Sequence, residues 1–117
     1  MKAIRVREVG GPDVLSYEDC PVPTPGPGQV LIHSEAIVFN YIDTYHREGL
    51  YPAPLPFTPG VEAAGRVEAV GSEVDNVQIG DRVAYCLTLG SYAEKSVVDS
   101  SKLVSIPDAM DLRTAAA

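Results

Sequence analysis

The chain has 117 residues, 45% hydrophobic and 21% charged, a composition that allows one soluble globular domain and excludes disorder along its whole length. Sixteen acidic residues against nine Lys and Arg give a net charge of -7, which repels nucleic-acid phosphates and anionic bilayer surfaces alike. No apolar run approaches the roughly 20 residues that span a bilayer, and Met1-Lys2-Ala3-Ile4-Arg5 alternates charge with apolar residues instead of forming a signal core, so the expected location is the cytoplasm.

Ten glycines and ten prolines divide the chain into short segments rich in Val, Ile, Ala and Tyr, the pattern of a mainly β domain. Lys2 to Glu8 alternates and predicts a half-buried strand, with Ile4 and Val6 on one face. Gly10-Gly11-Pro12 then turns the chain, and Val14 to Asp19 reads as a second strand. Alternate prolines in Pro21 to Gly28 cannot donate to a ladder, so this stretch is an extended loop.

Gln29 to Val38 has the aliphatic density of a central strand. Asn40 to Glu48 offers one or two helical turns that stop at Gly49. Four prolines between Pro52 and Pro59 make the next crossing irregular, and Val61 to Val70 follows as a strand. Asp81 to Leu87 and Ser91 to Val98 read as a hairpin bent near Leu89-Gly90, and Lys102 to Ile106 as a last short strand. Asp108 to Ala117 starts a helix without a stop signal, which predicts that the natural chain continues.

Cys20 and Cys86 lie far apart with no CxxC pattern and are read as two reduced thiols. His33 and His46 have no second ligand at metal spacing and are read as packing residues. Gly60 and Gly65 bracket small residues, which lets backbone approach backbone in a curved sheet. Glu62 within that segment must be paired or reach solvent, and a salt bridge to an arginine such as Arg82 is expected ahead of the alternative, a direct catalytic role. Gly60 to Gly65 is no phosphate loop, because it lacks GxGxxG and runs into a strand.

Six segments in order, Gly10-Gly11-Pro12-Asp13-Val14-Leu15, Asn40-Tyr41-Ile42-Asp43-Thr44-Tyr45, Gly49-Leu50-Tyr51-Pro52, Pro59-Gly60-Val61-Glu62-Ala63-Ala64-Gly65, Val70-Gly71 and Gly80-Asp81-Arg82-Val83, carry a resemblance. The chain resembles the N-terminal domain of the zinc-independent, zeta-crystallin-like quinone oxidoreductases of the medium-chain dehydrogenase/reductase superfamily. The resemblance covers essentially all of residues 1–117 and implies a mainly β fold, a GroES-like partly open β-barrel with short helices. It also implies that this catalytic domain is incomplete here and that the Rossmann cofactor domain lies outside the chain.

The zinc-dependent alcohol dehydrogenases share this domain but place a cysteine where this sequence has Asn40 and a histidine where it has Val61, neither of which ligates zinc. The implied cofactor is therefore NADPH or NADH without zinc, with NADPH favoured by the resemblance. Asn40, Tyr41, Ile42, Asp43, Thr44 and Tyr45 are expected to face the nicotinamide, and Tyr51 to line the substrate cleft. Aromatic faces with phenol, hydroxyl and amide groups suit such a ring, although each tyrosine also suits plain packing, and Asp43 suits a helix cap as well as a cofactor bond.

The implied activity is hydride transfer to a small-molecule quinone or enone, with the isolated segment inactive. An enoyl-thioester reductase of the same superfamily and a non-enzymatic chaperonin-10-like module are the alternatives. Apolar surface left bare by the missing parts predicts a homo-oligomer.

Overall fold

The computed structural model describes residues 1–117 and is mainly β, as expected. Strands β1 (Lys2–Val6) and β2 (Leu15–Asp19) form an antiparallel pair, while β3 (Gln29–Ile37), β4 (Ala63–Val70), β5 (Arg82–Tyr85), β6 (Lys95–Asp99) and β7 (Val104–Ser105) form an open sheet in the order β6-β3-β4-β5-β7. Helices are short: α1 spans Tyr41–Glu48 and α2 spans Leu112–Ala116. No helix is long and apolar enough to cross a membrane.

The core follows from alternation along the central strands. Val30 and Ile32 of β3, Ala63 and Val67 of β4, Val83 and Tyr85 of β5 and Val98 of β6 point to one side and form a single buried cluster with Val77. A smaller cluster seats Leu112 and Ala116 of α2 against Ala64. β1 departs from simple alternation, since both Ala3 and Val6 are buried: one bridges Ala93, the other Phe57, so the strand is covered from two directions.

Three expectations need correction. The hairpin between Asp81–Leu87 and Ser91–Val98 does not form, because β5 pairs with β4 and β7 while β6 pairs with β3. Between them the chain is tied to the Pro59-Gly60 turn: the amides of Gly90 and Ser91 donate to the Gly60 carbonyl and that of Tyr92 to Pro59, which drives the two strands apart. Lys102–Ile106 shrinks to the two residues of β7, because Ser100–Lys102 winds into a 3-10 turn. The final helix begins only at Leu112, after a turn at Pro107–Met110, with the Asp111 carboxylate capping the Thr114 amide at 2.7 Å.

The thiols of Cys20 and Cys86 are both free. His33 is exposed, with its Nδ1 3.8 Å from Glu68 Oε1, and His46 packs its ring near Tyr51 and Phe57, so both serve as packing or surface residues.

Candidate functional site

The chain enters α1 through Asn40, whose extended backbone (φ -129°, ψ 154°) is that of an N-cap. The Asp43 amide donates to the Asn40 backbone carbonyl at 3.0 Å, and the Asn40 amide donates back to Asp43 Oδ2 at 2.9 Å, the half of a capping box in which the third helical residue's carboxylate satisfies the N-cap amide. Gly49, at φ 87°, ends the helix in the left-handed conformation that only glycine adopts freely.

Asp43 is only 3% exposed and is the one buried residue of α1. Its Oδ2 also accepts the Tyr92 hydroxyl at 2.6 Å, while Oδ1 is buried without a partner. The capping reading of Asp43, left open by the sequence, is therefore realised in the structure. Ile42 is half-buried and Thr44 closes its hydroxyl onto the Tyr41 carbonyl at 2.7 Å.

Asn40 Nδ2 donates to Glu62 Oε2 at 2.9 Å. This corrects the expected Glu62–Arg82 ion pair: the Arg82 guanidinium instead donates to the Pro107 and Met110 carbonyls, holding the turn before α2. Glu62 satisfies its buried flank with a neutral amide and faces a cleft of about 350 Å³ that is also lined by Tyr85, Cys86, Ile106, Met110 and Ala115.

The aromatic residues fall into two contacts. Tyr45 and Tyr51 meet edge to face at 5.7 Å between ring centres, and both are exposed, at 37% and 50%. Tyr41, 77% exposed, makes its ring contact with Phe39 at 6.4 Å instead. A second groove, of about 480 Å³, lies between β1–β2 and the end of β3 and is walled by Ile4, Tyr17, Ile37, Phe39 and Tyr92.

Tyr92 is the residue that sequence reading missed. Its hydroxyl finds Asp43 across 49 positions, and no local spacing announces such a pair. The nearest signal is Gly60, where an added Cβ would lie 2.3 Å from the Tyr92 ring, which marks a side chain seated on glycine.

Burial, then the Asp43 hydrogen bond and charge, hold the Tyr92 phenol above its ordinary pKa, and burial does the same for Tyr85. Both phenols are raised above their unfolded value of 10.0, so their contribution to stability is complete below that pH and is lost as pH rises toward their folded values. Spectrophotometric titration should therefore show two of the six tyrosines ionising late, with stability falling in the same alkaline range. Tyr92→Phe should remove one late phenol, and six ordinary titrations would refute the assignment.

Residues 26–108 match the model of the alcohol dehydrogenase GroES-like domain. A quinone oxidoreductase of Pseudomonas aeruginosa is 52% identical over 118 aligned residues, covering 99% of this chain and 36% of that protein. A 2-haloacrylate reductase from a Burkholderia species is 42% identical over 113 residues, covering 92% of this chain and 34% of its own length. The structure of the Escherichia coli quinone oxidoreductase complexed with NADPH superposes with a TM-score of 0.95 at 38% identity, over 99% of this chain and 36% of that one. The chain thus spans about 36% of the length of the relatives it matches.

Proposed function

The chain belongs to the alcohol dehydrogenase GroES-like domain family, within the quinone oxidoreductase branch of the medium-chain dehydrogenases/reductases, and from that premise we propose that it is the substrate-facing part of an NADPH-dependent, zinc-free oxidoreductase. In this reading the whole protein reduces a quinone or a similar electron-poor small molecule in the cytoplasm, as a homo-oligomer. Most of the cofactor is held by a Rossmann domain outside residues 1–117.

The observation that carries the reading is the exposed edge-to-face pair of Tyr45, on the helix whose first turn is fixed by Asn40 and Asp43, with Tyr51, just past that helix's end. A flat nicotinamide or quinone ring needs aromatic edges and a few oriented polar groups, and this stretch supplies both. NADPH, when bound, supplies the hydride. The chain's own residues would bind and orient: Tyr41, Tyr45 and Tyr51 offer ring faces and phenols, Thr44 a hydroxyl, and Asn40 a second amide N–H beyond the one directed to Glu62. Ile42 would help keep water from the ring.

Zinc does not fit this residue set. Val61 is buried and apolar and Asn40 carries a neutral amide, so neither supplies the thiolate, imidazole or carboxylate donor that zinc sites use. The apolar side chains of Tyr17, Phe39, Leu87 and Val104 left exposed support a further packing partner or domain.

The test is titration with NADPH and NADH, followed by nicotinamide oxidation in the presence of a simple benzoquinone. Turnover by the full natural protein, with none by residues 1–117 alone, is expected. Robust turnover by residues 1–117 alone would overturn the division of labour. A second reading, reduction of an electron-poor carbon–carbon double bond, is favoured by the similarity to the 2-haloacrylate reductase, and turnover of an activated alkene in preference to benzoquinone would select it.

A further inference from the structure

An eight-residue helix is ordinarily oriented by an apolar stripe, yet in α1 the one fully buried residue is Asp43, while Ile42 is only half-buried. Its C-terminal end is tied by backbone, since the Gly10 amide donates to the Arg47 carbonyl and the Arg47 side chain returns to the Gly10 carbonyl. The N-terminal end, which carries the residues assigned to the nicotinamide, depends on polar contacts: Asn40 to Glu62, and Asp43 to Tyr92.

We propose that Tyr92 is a positioning residue for that segment, acting through Asp43 without touching the ligand. The proposal rests on the functional reading above. Tyr92 is itself fixed on three sides. Its amide donates to Pro59 at 2.9 Å, its carbonyl accepts from Ile4 at 2.8 Å, and its ring lies on Gly60, where no other residue would leave room. From this seat the hydroxyl reaches 2.6 Å to the same Asp43 oxygen that accepts the Asn40 amide. The phenol is the single side-chain donor that Asp43 receives, and Asp43 Oδ1 has nothing to replace it. Removing one hydroxyl thus leaves Asn40 Nδ2 to Glu62 as the side-chain bond that ties the first turn of α1 to the sheet, beside the backbone bond from the Val38 amide to the Glu62 carbonyl.

The experiment compares wild type, Tyr92→Phe and the neighbouring control Ser91→Ala in the full natural protein. It follows NADPH affinity by fluorescence titration, amide hydrogen exchange over Asn40 to Asp43, and thermal stability. Tyr92→Phe keeps the ring, so the fold should persist with NADPH bound about 5-fold more weakly, the loss of one ordinary hydrogen bond, and with faster exchange at the start of α1. Ser91→Ala, which removes a hydroxyl that has no partner, should bind NADPH as wild type does. The inference is overturned if Tyr92→Phe retains full affinity while Tyr45→Ala loses it, because the hydroxyl would then be structural only. If Tyr45→Ala and Tyr51→Ala also bind NADPH normally, the assignment of the segment to the cofactor fails, and the positioning role fails with it.

Discussion

Gly65→Ala should unfold the central sheet or lower its stability by about 3 kcal/mol, the upper end of what overpacking costs. Gly65 lies in β4 between Ser34 of β3 and Val83 of β5. A Cβ built there would sit 2.1 Å from the His33 carbonyl oxygen and 2.9 Å from Ser34 Cα. These are backbone atoms, so no rotamer change relieves the overlap, and the strands themselves must separate.

The reason for the close approach is the irregularity in β3 between Ser34 and Ala36, where one extra residue presses the strand onto its neighbour. Separation at that point would pull Ile32 from Val67 and open the core cluster. Gly80→Ala is the control, since Gly80 has φ 94° but open space around its Cβ position. Strain alone should cost it about 1–2 kcal/mol. Urea denaturation of the two variants reads the difference, and a Gly65→Ala midpoint no lower than that of Gly80→Ala would show that the sheet absorbs the clash.

Punctuation and alternation made much of this fold legible. Gly49 stops α1 because the chain there is left-handed, and the prolines of Pro21 to Gly28 keep the loop out of the sheet. The expectation that Gly60 and Gly65 let backbone approach backbone holds at Gly65, which lies against His33 and Ser34, whereas Gly60 instead makes room for the side chains of Ser91 and Tyr92. What failed was partner choice. Two apolar runs separated by a glycine turn look like a hairpin, but the turn bonds to Pro59-Gly60 and sends β6 to the far side of β3.

The same limit applied at the candidate site. Glu62 visibly needed a partner, and charge alone suggested Arg82, yet Arg82 is engaged by two carbonyls and the carboxylate takes the Asn40 amide. Residue type shows that a polar group needs satisfying, whereas topology decides by what. Asn40, Asp43, Tyr45 and Tyr51 were visible as a cluster in sequence because one short helix and its two flanks carry them, and Tyr92 was not because the fold brings it in from elsewhere.

Asp43→Ala carries the second large effect, and it separates a buried cap from an exposed one. The Asp43 oxygen accepts both the Asn40 amide and the Tyr92 hydroxyl, so its removal strands two donors at a site only 3% exposed. A lost cap and an unsatisfied buried group together should cost about 2–3 kcal/mol. Asp111 caps α2 from the N-cap position itself and is exposed, accepting a hydrogen bond from the Thr114 amide that holds its carboxyl below the usual range. Asp111→Ala should therefore cost clearly less than Asp43→Ala. Equal losses in the two variants, measured by chemical denaturation, would mean that burial adds nothing to the Asp43 cap. A larger loss at Asp43, accompanied by weaker NADPH binding in the full natural protein, would mean that one carboxylate both closes the helix and holds its tyrosines where the ligand meets them.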